Sequence, residues 1–159
     1  MNHLEFSWRG HTSLSAELMK PVQKASIYFF HAAWGPNTLT LWRDDSTGIK
    51  VFSQMHDIAE RLEIGVLSFE LVTVPEKDEL TVDVSGGFNC SLQAFKLILE
   101  EEGTRAECGL AIRGSKGDEI VIVPSAGPCH LAIAGLPSSN PHIFEPEYEL
   151  DRYIRVPIS

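Results

Sequence analysis

The sequence predicts a mainly β protein: an antiparallel β-sandwich with one inserted α-helix at about residues 89–102 and one short helix at about residues 57–62. Three observations predict it. Residues 106–137 hold three short apolar runs joined by two Gly-bearing turns, the pattern of a β-meander. Turns between the other apolar runs are short as well, which favours antiparallel neighbours. Helical patterns do not alternate with strands, so parallel βαβ units are not expected. The 159 residues suffice for one domain with a real core, and residues 1–159 read as a single β-sandwich-like domain.

Taken in order, Leu4–Trp8 reads as a short edge strand, and Ser13–Lys20 as a helical turn stopped by Pro21. Ser26–Trp34 is apolar and aromatic at successive positions, so it reads as a central strand. Gly35-Pro36-Asn37 turns the chain into Thr38–Arg43, where Leu39 and Leu41 alternate with Thr38, Thr40 and Trp42. After a turn at Asp44–Gly48, Ile49–Phe52 is another short strand. Asp57 and Glu60 form a capping-box-like pair opening the short helix. Gly65–Val74 and Leu80–Ser85 read as strands around a charged turn at Glu76–Glu79.

The stripe Leu92, Phe95 and Leu99, widened by Ala94 and Ile98, predicts the helix at Asn89–Glu102. Asn89 or Ser91 would cap it, and Gly103 would terminate it. The meander follows: Cys108–Arg113 and Glu119–Val123 around the turn Gly114–Asp118, then Pro124–Pro128 and His130–Ala134. Leu136–Glu147 reads as an ordered surface loop, and Tyr148–Val156 as the closing strand.

Bulk properties exclude several classes. Hydrophobic content of 43% and charged content of 22% are those of an ordinary globular chain. No apolar run approaches the ~20 residues that span a bilayer. The start, MNHLEFSWRGHTS, lacks the basic flank and apolar core of a secretory signal, so a cytoplasmic protein is expected, with no membrane association. Net charge is −9, from 22 acids against 13 bases. Nucleic acid binding draws on Lys and Arg against phosphate, so direct nucleic-acid contact is disfavoured. Complementary potential favours a basic protein partner instead. The candidate contact residues are the clusters Glu76, Asp78, Glu79 and Glu145, Glu147, Glu149; Glu100–Glu102 form a third acidic run.

Cys90, Cys108 and Cys129 are odd in number and lack Cys-x-x-Cys spacing, which argues against a disulfide framework and a structural zinc site. His3, His11 and His56 share no ligand spacing, and the acidic runs lack the calcium-loop pattern, so neither metal nor other cofactor is expected. His31, inside an apolar run, reads as a core histidine. Gly86-Gly87 lacks the Lys of a phosphate loop and reads as a turn. Cys90 is the sharpest catalytic candidate: at the start of a helix its thiolate would be stabilised, and His130 or His142 downstream could serve as base. A helix-initial Cys-Ser followed by strand histidines resembles the layout of the NlpC/P60 cysteine peptidases. The match covers Cys90, Ser91, His130 and His142; Asn89 stands where that family has Asp, and Leu92 where it has Gly. The resemblance would imply a cysteine hydrolase.

A second resemblance covers more of the chain. Ala25-Ser26-Ile27-Tyr28-Phe29, Ile64-Gly65-Val66-Leu67-Ser68-Phe69-Glu70 and Ile122-Val123-Pro124-Ser125-Ala126-Gly127-Pro128-Cys129-His130-Leu131 are similar in order to segments of the competence protein J family, inhibitors of a DNA-entry nuclease. That resemblance implies a β-sandwich and a non-enzymatic acidic protein that blocks a nuclease; together with the net charge it leads to the expectation of an inhibitor or immunity protein that blocks a nuclease or toxin. A third expectation is a structural or small-ligand-binding domain with a pocket lined by Trp34 and Trp42.

Overall fold

Cross-strand pairing absorbs almost every apolar run of the chain. A computed structural model describes residues 1–31, 35–77, 79–137 and 144–158. In chain order these form β1 (Asn2–Leu4), β2 (Ser7–Arg9), α1 (Leu14–Leu18), β3 (Lys24–Tyr28), β4 (Thr38–Trp42), β5 (Gly48–Ala59), β6 (Leu62–Val72), β7 (Leu80–Asp83), α2 (Ser85–Phe88), β8 (Gln93–Glu101), β9 (Thr104–Arg113), β10 (Glu119–Pro124), β11 (Leu131–Ala134) and β12 (Ile154–Pro157), with a 3-10 turn at Leu150–Arg152 before β12.

The strands make two six-stranded sheets. Sheet A runs β11-β10-β9-β8-β12, with β1 beside β9; sheet B runs β2-β6-β5-β4-β3-β7. The architecture is therefore the expected β-sandwich, and most neighbours are antiparallel. Two pairs are parallel: β1 with β9 and β2 with β6. The predicted single edge strand at Leu4–Trp8 is in fact a crossover. The chain pairs with sheet A at Asn2–Leu4, then with sheet B at Ser7–Arg9. Phe6 lies between, its ring edge-on to Phe69 with centroids 4.8 Å apart, a geometry that contributes about 0.5–1.5 kcal/mol beyond area burial.

The inter-sheet core takes alternate residues from both layers. Ile27, Leu39, Leu41, Ile49, Val51, Leu67 and Phe69 of sheet B meet Leu110, Ile112, Ile120, Ile122, Leu131 and Ile133 of sheet A. A second core lies on the opposite face of sheet A, built on Leu97, Leu99, Ala106, Cys108, Ala111, Val121, Val123 and Ala132. Tyr153, Phe144 and Tyr148 of the C-terminal segment pack on it, as do Ile64 and Val66 of β6. The register slips between Leu97–Gly109 and Ile98–Glu107, which makes Cys108 a bulge residue. The bulge turns Ala106 and Cys108 toward the second core. A Cβ on Gly109 would come within 2.6 Å of Val123 and 2.9 Å of the Ile122 carbonyl, so only glycine fits there.

Both predicted helices are corrected. Residues 93–101 of the expected 89–102 helix are strand β8. Ala94 faces the inter-sheet core while Phe95 and Leu97 face the second one, so burial on both faces blurs the period-2 signal. Gly103, read as a helix terminator, is the second residue of a two-residue hairpin loop. Glu102 has φ 47° and Gly103 φ 71°, the positive pair of a type I′ turn. The expected helix at 57–62 is the tip of the β5–β6 hairpin, where Ala59 pairs with Leu62 and Arg61 turns with φ 62°. With neither Gly nor Asn in that loop, no local signal marks the turn. The helical turn after Ser13 does form, as α1: Glu17 N–H donates to the Ser13 carbonyl at 3.1 Å. The closing strand is shorter than expected, because Leu150–Arg152 coil before β12 begins.

Candidate functional site

The acidic residues are not spread evenly over this sandwich. Three segments meet at one end of it. The β5–β6 tip brings Asp57, Glu60 and Glu63; the β8–β9 turn brings Glu100, Glu101 and Glu102; the C-terminal segment brings Glu145, Glu147, Glu149 and Asp151. Within residues 57–63, 100–105 and 145–152 the only Lys or Arg residues are Arg61, Arg105 and Arg152. Arg105 is paired to Glu100 at 2.6 Å and Arg152 to Glu101 at 2.5 Å.

Backbone geometry assembles the site. The segment leaving Phe144 is anchored along the end of β10: Ala126 N–H donates to the Glu145 carbonyl at 3.0 Å, and Glu147 N–H to the Pro124 carbonyl at 2.9 Å. That places the Glu147 carboxylate against β6, where Oε2 accepts the Gly65 N–H at 3.4 Å. Any Cβ on Gly65 would lie 2.5 Å from Pro124, so the close approach depends on that glycine. Asp57 stands directly opposite Glu63 in the β5–β6 register, and Glu63 in turn bears on Glu147. Burial raises the Glu147 carboxyl above the ordinary range, the Gly65 N–H partly offsets this, and the Glu63 charge adds to the rise.

Tyr148 sits among these groups with Arg152 over its ring, 4.8 Å from the centroid. Burial raises its phenol, and Glu147 and Glu101 push it further. Beneath lie Tyr153, raised chiefly by burial, and Cys108, whose thiol burial pushes up to about 12. Like charges held together with few cations can pair with Lys and Arg side chains presented by another surface.

The sequence-derived site residues fall in three places. Glu145, Glu147 and Glu149 belong to the anionic end. Glu76 and Glu79 lie instead on the β6–β7 connection over sheet B, with Glu76 paired to Lys50 at 3.3 Å and its N–H donating to Glu79 Oε1 at 3.0 Å. Asp78, His142 and Trp34 lie outside the described residues. Cys90 and His130 are not brought together. Cys90 follows α2 and its thiol is bonded to Ser115, in the turn that opens β10; these bonds, with the Lys116 charge, hold it below the ordinary thiol value. His130 lies beyond the other end of β10, where its carbonyl accepts the Ser125 N–H at 2.9 Å. The intervening strand, Glu119–Pro124, spans roughly 17 Å. Since α2 is only Ser85–Phe88, Cys90 also lacks the long helix that was to activate it.

Sequence reading missed Asp57, Glu60 and Glu63, whose contribution depends on a contact 82 residues away from Glu147. It also missed the buried pair Arg43–Glu17, at 2.6 Å with side chains 4% and 5% exposed. Among the described residues no group of three or more His, Cys, Asp or Glu side chains is placed to hold a metal ion. Nor is any helix long and apolar enough to cross a membrane. Compared with known proteins, the chain matches no family model, no curated protein and no solved structure.

Proposed function

We propose that this chain is a non-enzymatic binding protein whose anionic end docks on a basic protein partner, such as a nuclease or toxin that it inhibits. One observation carries the reading: the acids of three separate segments converge around Glu63, Glu147 and Tyr148, with Asp57 directly opposite Glu63. Solubility alone would be served by charge scattered over the surface. Like charges directly opposite on paired strands cost stability, and a protein tolerates such a cost where the charge is used. Nuclease clefts are cationic because they hold phosphate, so a carboxylate-bearing end is a fitting plug for one.

The test is affinity capture from the native host with the full chain, run beside a variant carrying Glu63→Lys, Glu147→Lys and Glu149→Lys. The expected result is a protein of basic pI retained by the wild type, released by salt, absent with the variant, and inhibited when the two are mixed. Failure to retain any basic protein would remove the reading, as would equal retention by the charge-reversed variant.

A further inference from the structure

Sheet A ends in β11 and β12, and sheet B in β2 and β7. A strand at the end of a sheet shows unpaired N–H and C=O groups to any chain able to pair with them, and proteins commonly blunt it. β12 carries Pro157, which has no N–H to offer. β11 gives its Leu131 N–H to the Pro36 carbonyl at 2.8 Å. β7 has neither device.

The backbone of β7 is open on one side. The Val84 N–H donates to the carbonyl of Gln23, the residue leading into β3, at 3.0 Å. The bonded side alternates along an antiparallel ladder, so Leu80 and Val82 bond to β3 while Thr81 and Asp83 turn their backbone groups outward. Among the described residues neither Thr81 nor Asp83 has a backbone partner on that side. Side chains alternate as well. Leu80 and Val82 follow Ile27 and Ala25 on the core side, and Leu80 is left 52% exposed. Glu79, Thr81 and Asp83 take the outer side, where Thr81 and Asp83 are exposed.

This edge is held in place from behind. Trp42 is buried and its indole N–H donates to Ser26 Oγ at 3.0 Å, while the Ser26 and Thr81 hydroxyls are 3.1 Å apart. The Ser85 N–H and hydroxyl donate to Asp83 Oδ1 at 2.8 and 2.6 Å. Glu79 accepts the Glu76 N–H at 3.0 Å. Among the described residues neither Glu79 nor Asp83 is in an ion pair. Opposite charges and apolar pairs at facing positions stabilise neighbouring strands. A fitting strand therefore sets bases against Glu79 and Asp83 and apolar residues against Leu80 and Val82. A second copy aligned over the same positions sets Glu79 against Asp83 instead, like charge against like.

We propose that the free edge of β7 takes an extended segment of another protein as an added strand of sheet B, with Lys or Arg facing Glu79 and Asp83 and apolar residues facing Leu80 and Val82. The inference goes beyond the anionic end and does not rest on it. The full chain is titrated with a short capped peptide containing Lys-Val-Thr-Val-Lys, and separately with one containing Glu-Val-Thr-Val-Glu. Backbone amides are followed by NMR and by hydrogen exchange. The expected result is saturable binding of the Lys peptide, which shifts and protects the Thr81 and Asp83 amides, and none of the Glu peptide. Thr81→Pro removes an outward N–H that bonds nothing inside the protein, so the variant folds and loses the peptide. Glu79→Lys with Asp83→Lys weakens the Lys peptide about tenfold or more and takes up the Glu peptide instead. Should Thr81→Pro fail to fold, the charge exchange decides alone. The proposal is overturned if the Lys peptide does not bind, if it moves the amides around Glu63 and Glu147 rather than those of Thr81 and Asp83, or if folded Thr81→Pro binds it undiminished. Equal binding of the Glu peptide by the wild type overturns it too, as does protection of the Thr81 amide by rising protein concentration alone, the mark of pairing with a second copy.

Discussion

Neutralising Glu63 should make this protein more stable and a poorer binder. Glu63 stands opposite Asp57 and beside Glu147. A directly opposed like-charge pair on antiparallel strands costs a few tenths to about 1 kcal/mol, and the Glu147 contact adds a smaller repulsion across a partly buried gap. Glu63→Gln keeps the side-chain shape and removes both, a gain of about 1 kcal/mol in all. For a chain of this size that raises Tm by about 2–4 °C. The assay is thermal unfolding followed by circular dichroism at pH 7 and low salt, repeated in 1 M NaCl, where a Debye length of about 3 Å should shrink the difference. The pH profile adds an independent arm. The Glu147 carboxyl is raised above 4.5 in the folded protein, so the folded state holds that proton more tightly than the unfolded chain does. Its contribution is therefore fully present below pH 4.5 and is lost as pH rises through the raised folded value. Glu147→Gln should flatten that decline. A Glu63→Gln variant that melts at or below the wild-type temperature at low salt would refute the claim that these carboxylates repel.

Other outcomes follow from the same structure. Arg43→Met leaves Glu17 buried without its guanidinium and should cost about 3 kcal/mol, whereas Glu17→Leu with Arg43→Met should recover much of that; urea midpoints of the single and double variants decide. Glu102→Asn would give the β8–β9 loop the Asn-Gly pair that a type I′ turn prefers, so a gain of about 0.5 kcal/mol is expected, and a loss would contradict the assigned turn. A thiol titration at neutral pH should find Cys129 and Cys90 accessible and Cys108 silent until the protein unfolds; early labelling of Cys108 would contradict its burial in the second core.

Much of the fold could be read locally because it is local. The β9–β10 hairpin appears where apolar runs flank Gly114–Asp118, and α1 where Ser13 precedes an apolar turn. Reading failed where a strand is buried on both sides or a turn lacks its usual residues. Leu92, Phe95 and Leu99 happen to match a helical stripe, yet Leu92 precedes β8, and Phe95, Leu97 and Leu99 share one face of that strand. At the β5–β6 tip, Glu60-Arg61 turns without Gly or Asn, so Asp57 and Glu60 passed for a helix cap. The candidate site was half visible. Two of its three groups, Glu100–Glu102 and Glu145 to Glu149, stand out as acidic runs, but nothing local says that Glu147 reaches Gly65 beside Glu63, or that Glu76 and Glu79 sit elsewhere. The free edge was similarly hidden: Leu80–Asp83 ends a sheet only through strand order.

The crossover at the start of the chain has a consequence for biogenesis. Phe6 donates its N–H to Glu107, 101 positions later, and Ser7–Arg9 pair with residues 68–70. The first nine residues leave the ribosome long before either docking groove exists. Until then β6 and β9 each present an open edge to neighbouring nascent chains. Since the same ribbon seals both edges, one molecule's leading peptide could equally well seat in another's, giving intertwined dimers when expression is fast. Slowing synthesis early, or lowering the temperature during induction, should raise the yield of chains whose residues 2–9 pair with their own β9 and β6.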